Sequence, residues 1–381
     1  MTNILTSDIL VSDLDTPLAG NDQLKSLVEK YNLKLGGKLI LSDEQFAEFS
    51  QAVQGHPITM FPGGSSANMV TTLSKLLGKD NVDVQFMGVV GDDDYSKIIK
   101  SSLDEAGIKR LPNMANYKDP SPQTAVSYII HFPDGENTTV THLGNASSIL
   151  KPDIITDELF KNTDVLLVQG SLWQKFDSSF SDKLLDMRWK NNKELWLTLP
   201  TNAKFGEENA GRFQYLLSSA NMVLGNGNEL SRIYHTDPNK PVDALEKLQK
   251  VFQDDVLVRE GRSNDKEQVA FITLSEKGAA IVTKNDIKYV PIHTKIDKIE
   301  SLSGAGDTSF AGFAAGYIKG LPNETSAKIA MALASEKLRY NGPRLENPRE
   351  SLRKASRELS DELIGIGKRS DEPTLAGGHY R

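Results

Sequence analysis

The sequence predicts an α/β protein built on a doubly wound parallel sheet, with a small second sheet beside it. Three observations carry this expectation. Short, almost wholly apolar runs alternate with longer helical patterns. Buried parallel strands read this way because helices cover both of their faces. Glycine-rich segments stand where apolar runs give way to helices, at Pro62–Asn68, Gly225–Glu229 and Ser303–Phe313. Finally, residues 121–145 have the pattern of a hairpin that does not belong to the alternation.

The expected sheet strands are Val84–Val90, Asp164–Val168, Leu195–Leu199, Met222–Leu224 and Val269–Leu274. Between them, Asn68–Leu77 reads as a helix. Met69, Val70, Leu73, Leu76 and Leu77 share one face, and Gly78 is placed to end it. A second helix of small and apolar residues is expected over Thr308–Ile318, after a strand and loop at 287–300. Residues 9–60 hold short mixed runs such as Lys38–Ser42. Thr124–His131 and Thr138–Leu143 flank Pro133-Asp134-Gly135-Glu136-Asn137, which is strong turn chemistry. Both regions read as strands outside the main sheet, able to act as a lid. Arg349–Leu363, with Leu352, Leu359 and Leu363 as a thin stripe, is expected to form one peripheral helix, with a loose tail beyond Gly365. This gives a main domain over residues 1–345 and a peripheral part over 346–381.

Composition narrows the function. The chain has 381 residues, 38% hydrophobic and 25% charged, which suits a folded globular protein. A net charge of −7 speaks against a nucleic-acid binder. No apolar run approaches the ~18 residues of a membrane span. Residues 1–8 lack the basic and apolar regions of a signal peptide. With no cysteine, thiolate metal sites and cysteine nucleophiles are excluded, and a cytoplasmic location is expected. The six histidines show no metal-ligand spacing. Neither G-x-x-x-x-G-K-[ST], G-x-S-x-G nor H-E-x-x-H occurs.

The sharpest segment is Ser303-Gly304-Ala305-Gly306-Asp307-Thr308. Small residues at a helix start let backbone N–H groups cradle an anion. A carboxylate there would repel a simple anion. It makes sense if Asp307 takes the proton from a hydroxyl that attacks phosphorus, while the amides of Ala305 and Gly306 steady the charge on the transferred group. The alternative is an ordinary glycine-rich helix start with Asp as a cap. In Gly63-Gly64-Ser65-Ser66-Ala67-Asn68, paired glycines allow close packing and Asn68 offers a donor and an acceptor to a diol. The alternative is a glycine turn capped by Ser66. Asn226 and Glu229 have N-x-x-E spacing, which puts both at one side of a helix start where Glu229 could hold water around Mg²⁺. The alternative is a helix with an acidic first turn. Gly225-Asn226-Gly227-Asn228-Glu229 lacks the third glycine of a dinucleotide fingerprint. Asp8 could accept two sugar hydroxyls, although an isolated Asp is more often a surface residue.

Together these segments resemble the PfkB/ribokinase family of carbohydrate and nucleoside kinases. Gly63–Asn68 followed by Phe86-Met87-Gly88-Val89-Val90-Gly91-Asp92-Asp93 is similar to the family's N-terminal signature. Ser303–Phe313 is similar to its C-terminal signature, and Asn226…Glu229 to its N-x-x-E motif. Order and approximate spacing match over about residues 1–345. The stretches Asp8–Asp15, Tyr31–Lys38, Leu197–Phe205 and Asn341–Leu345 look closer to the adenosine kinase and inosine–guanosine kinase branch.

The resemblance implies a ribokinase-like three-layer α/β/α sandwich with a small β-sheet lid. It implies an ATP- and Mg²⁺-dependent kinase acting on a primary hydroxyl of a ribose-containing substrate, with a purine nucleoside first. A sugar kinase acting on a free pentose or hexose is the alternative, and a non-catalytic nucleotide-binding protein a distant one. Asp307 would be the base, with Gly304, Ala305 and Gly306 as the anion hole. Asp8, Gly63, Gly64 and Asn68 would hold sugar hydroxyls. Asn226 and Glu229 would organise Mg²⁺ and phosphates, Glu229 through water. Thr273, Ser275 and Gly278 would line the ATP site. The lid would exclude water, and the protein would be a monomer or a homodimer. Two departures stand out. Ser275 replaces a common Gly. Ser301-Leu302 replace an Asp-Thr pair whose Asp, in many members, helps bind a monovalent cation, which leaves potassium activation open.

Overall fold

The computed structural model describes residues 1–111, 121–133, 137–171, 178–200, 207–254, 267–292, 296 and 298–365. Fourteen strands are found among them. In chain order they are β1 Thr2–Ser7, β2 Val11–Pro17, β3 Lys38–Ile40, β4 Thr59–Gly63, β5 Val82–Met87, β6 Lys109–Leu111 and β7 Ala125–His131. They continue with β8 Asn137–His142, β9 Val165–Gln169, β10 Glu194–Thr198, β11 Met222–Asn226, β12 Val269–Thr273, β13 Ala279–Thr283 and β14 Ile287–Val290. Nine form the main sheet, in the order β14-β13-β12-β11-β10-β9-β1-β5-β6. From β12 to β6 every pairing is parallel, while β13 and β14 add an antiparallel edge.

Helices cover both faces of this sheet. On one side, Ser65–Leu77, Ala305–Ile318 and Asn323–Lys337 bury Leu73, Phe313 and Ile329 against Phe86, Trp196 and Phe271. On the other, Ser178–Lys190, Glu207–Ser219 and Pro241–Gln253 bury Leu184, Leu216 and Leu248 against Leu166, Leu197 and Ile272. This is the expected three-layer architecture. No helix among the described residues is long and apolar enough to cross a membrane.

The second sheet has the order β3-β8-β7-β2-β4. Its β7–β8 pair is the expected antiparallel hairpin, whose tip at 134–136 lies outside the described residues. Strand alternation divides its side chains between two faces. Leu14, Leu39, Met60, Tyr128, Ile130 and Val140 pack under helices Asp22–Lys30 and Asp43–Ala52, against Leu24, Phe49 and Val53. The opposite face therefore carries Asp13, Asp15, Lys38, Ile40, Phe61 and Ile129. It lies over the carboxyl ends of the main strands, because β2 follows β1 after three residues and β4 runs directly into Ser65–Leu77.

The expected single C-terminal helix is two, Pro348–Ala355 and Arg357–Ile364. Ser356 breaks it: its backbone is extended at φ −160°, and its side chain caps the second helix by accepting from Leu359 N–H. Leu352 and Leu363 are buried in the main core. The segment beyond Gly365 lies outside the described residues.

Candidate active site

Asp307 lies in the first turn of Ala305–Ile318. Its two carboxylate oxygens are held by Ser65 Oγ–H and, at 2.9 Å, by Asn68 Nδ2–H. The two glycine-rich segments, 242 residues apart, thus meet on one carboxylate. Burial raises the Asp307 pKa above the ordinary carboxylate value, while the bonds from Ser65 and Asn68 pull it back.

The helix start carries no side-chain cap. Gly304 caps it with φ 73° and no side chain, and a Cβ there would fall 1.8 Å from Pro343 O. First-turn N–H groups have no intrahelical acceptor, so they are available to an anion. Ala305 N–H turns back to Leu302 O at 3.3 Å, which leaves the Gly306 amide as the better-placed donor.

Asp8 is 1% exposed, and its oxygens accept from Ile9 N–H (2.8 Å) and Ser66 N–H (3.3 Å). It fixes the start of Ser65–Leu77. Of the two carboxylates on the lid's cleft face, Asp13 rests directly on Gly63: a Cβ at Gly63 would come 2.1 Å from Asp13 Oδ2. Burial, with Asp15 nearby, pushes Asp13 up to about 7, and the Arg344 guanidinium opposes this.

Arg344 is the other residue that sequence reasoning left without a role. Its Nε–H donates to Asn68 Oδ1 (2.7 Å), one Nη to Ser102 Oγ (2.6 Å) and the other to Gly63 O (3.3 Å). It lies near both Asp13 and Asp307, and burial lowers its pKa to about 10. The available signal was Gly342-Pro343-Arg344 itself: Pro343 packs on Gly304, and a Cβ at Gly342 would strike the Phe61 ring.

The residues expected on the nucleotide side include two at the ends of neighbouring strands. Register pairs Asn226 at the end of β11 with Thr273 at the end of β12. Asn226 and Glu229 form a capping box, in which Asn226 Oδ1 accepts from Glu229 N–H (2.9 Å) and Glu229 Oε2 from Asn226 N–H (3.0 Å). The pair thus forms the alternative of the two readings, a helix with an acidic first turn. Burial drives Glu229 up to about 7, a shift that a nearby divalent cation would reverse. That donor set fits Mg²⁺ held through water and phosphates. Ser275 takes a left-handed φ of 54°, the conformation its glycine counterpart would favour, and Gly278 has φ 92° with Val290 O against it.

The profile of pfkB family carbohydrate kinases matches residues 26–350. The chain belongs to the pfkB family of carbohydrate kinases. As a pfkB kinase it is a phosphotransferase with an alcohol group as acceptor, uses ATP, and acts on a small sugar or nucleoside substrate. It is similar to an ATP-dependent 6-phosphofructokinase of Thermoanaerobacterium thermosaccharolyticum, 22% identical over 86% of this chain and 94% of the relative. It is likewise similar to an adenosine kinase of Dictyostelium discoideum, 22% identical over 83% of this chain and 90% of the relative. Among solved structures, adenosine kinase from Sinorhizobium meliloti superposes with a TM-score of 0.73 at 24% identity, covering 94% of this chain and 99% of that one. The pfkB fold is thereby shared over nearly the whole chain.

Proposed function

We propose that this kinase moves the γ-phosphoryl group of ATP to a primary hydroxyl of a ribose-containing substrate, a purine nucleoside first. The observation that carries the reading is the Ser65–Asp307–Asn68 constellation at a bare helix N-terminus. The acceptor hydroxyl gives its proton to Asp307, and its oxygen attacks the γ-phosphorus as the bond to the ADP oxygen breaks. The Gly306 amide and the helix dipole face the charge on the transferred group. Asn68 and Asp13, with Gly63 and Gly64 allowing close approach, hold the sugar hydroxyls. Asp8 supports them from behind. Thr273, Ser275 and Gly278 line the nucleotide, and Asn226 orients Glu229. Mg²⁺, when bound, neutralises phosphate charge, and Glu229 would hold its water.

Support for a nucleoside comes from the lid. Ile40, 58% exposed, and Ile129 stand on its cleft face, where an apolar base can lie. The likeness to adenosine kinases points the same way. The lid's outer face is already covered by its own two helices, which supports a monomer. Adenosine, inosine, guanosine and a set of free pentoses and hexoses, assayed by ADP release, test the reading. Nucleoside turnover is expected. Turnover of sugars alone would replace it with a free-sugar kinase.

A further inference from the structure

Lys337, the last residue of Asn323–Lys337, is completely buried, and the chemistry above does not use it. Its ammonium donates to Tyr340 O at 2.9 Å, its one hydrogen bond among the described residues. Asp15, across the cleft on the lid, is a charged group that acts on it. Burial lowers its pKa to about 8, so it remains a cation at neutral pH.

One backbone carbonyl, Tyr340 O, meets this ammonium. A helix C-terminus gathers unpaired carbonyl oxygens and the negative end of the helix dipole. The turn that follows is tied to the loop that enters the anion hole. Leu338 O accepts from Glu300 N–H (2.8 Å) and Ser301 N–H (3.5 Å), and further on Pro343 lies against Gly304. Ser301-Leu302 occupy the places where many family members have an Asp that helps bind a monovalent cation. Ser301 brings no negative charge, and the turn it abuts already contains a buried positive one. A second cation entering there would be repelled at short range in a poorly screened site. The residues present do not fit a monovalent metal ion.

We propose that the Lys337 ammonium is a built-in monovalent cation, which ties the 338–343 turn beneath the anion-hole loop so that phosphoryl transfer needs no added potassium. This rests on the kinase reading of the same site. An ammonium is a compact unit charge with three donors and can satisfy carbonyl oxygens as a bound ion would.

The test compares wild type with Lys337→Met and Lys337→Gln in potassium chloride and in choline chloride at matched ionic strength. ATP turnover with adenosine or ribose and the unfolding temperature are both read. Methionine fills the volume, and replacing a buried charge by an apolar side chain is often neutral for folding. Wild type is expected to show equal turnover and equal unfolding temperature in the two salts. Both variants are expected to lose about tenfold or more in choline, the scale of a displaced catalytic loop. Both are expected to recover turnover and gain unfolding temperature with potassium. Wild type that is activated or stabilised by potassium would overturn the proposal, as would variants indifferent to the salt. If no acceptor is turned over by any form, the kinase reading fails, while the unfolding comparison still decides the cation claim.

Discussion

Arg344 Nε–H donates to Asn68 Oδ1 at 2.7 Å, and this fixes which way the Asn68 amide points. With Oδ1 occupied, Nδ2 is left to face Asp307, where it donates at 2.9 Å. The arginine also reaches Gly63 O and Ser102 Oγ, so one side chain locks the Gly63–Asn68 segment to the Asp307 carboxylate. Arg344 is a positioning residue. Arg344→Lys keeps the charge but cannot reproduce a planar fork of contacts. We expect it to lower kcat about tenfold or more, the cost of a misaligned group, with ATP affinity unchanged. Ser102→Ala, which removes one anchor, should shift kcat in the same direction by less. Steady-state kinetics on both variants checks this; wild-type kcat in Arg344→Lys would contradict it.

The glycines of the cradle should separate folding from chemistry. At Gly304 a Cβ would collide with Pro343 O in a left-handed backbone, so Gly304→Ala should lower the unfolding temperature and abolish turnover. At Gly306 the nearest atom to an added Cβ is the tip of Phe310 at 4.0 Å. Gly306→Ala should therefore hold or raise stability, by up to ~1 kcal/mol from helix propensity. In the proposed mechanism the same methyl group stands where the phosphoryl group approaches, so turnover should fall. Calorimetry and turnover on both variants distinguish the two roles.

Stability should respond to pH through Asp13. Its folded pKa, about 7, lies above the unfolded value near 3.8. Its contribution is therefore fully present below the unfolded value and is lost as pH rises through about 7. Asp13→Asn removes that loss. The variant's unfolding temperature relative to wild type should rise as pH increases across this window, in the absence of ligands. A difference independent of pH would show that Asp13 is not held in a desolvated position.

Ser275 gives a local test of backbone strain. It adopts φ 54° at a position where the resemblance implies a common Gly. Left-handed backbone costs a non-glycine residue roughly 1–2 kcal/mol, so Ser275→Gly should stabilise the protein by up to that amount. Chemical denaturation reads the change; a destabilised Ser275→Gly would mean that the hydroxyl is needed in the turn.

The main sheet was legible because its strands are buried on both faces and stand out as apolar runs such as Val165–Val168. The hairpin was legible from its turn chemistry. The positions of Asp307 and Asn68 in first helical turns were legible because glycine clusters mark the helix starts. What escaped was decided by distant partners. Asp8 and Asp13 are both acids near the first strand, and only the fold shows that Asp8 is taken up by Ser66 N–H while Asp13 rests on Gly63. Arg344 gains its role across 276 residues, a contact that no local pattern encodes. Ser356 looked like one polar residue on a helix, yet its side chain was free to cap a new one.

The most direct measurement is the turnover of Asp307→Asn alongside its ATP affinity. The amide keeps the shape of the side chain and can still meet Ser65 and Asn68, but it cannot accept the acceptor's proton. We expect kcat to fall by at least ~10²-fold while ATP binding persists. Turnover near that of wild type would contradict Asp307 as the base.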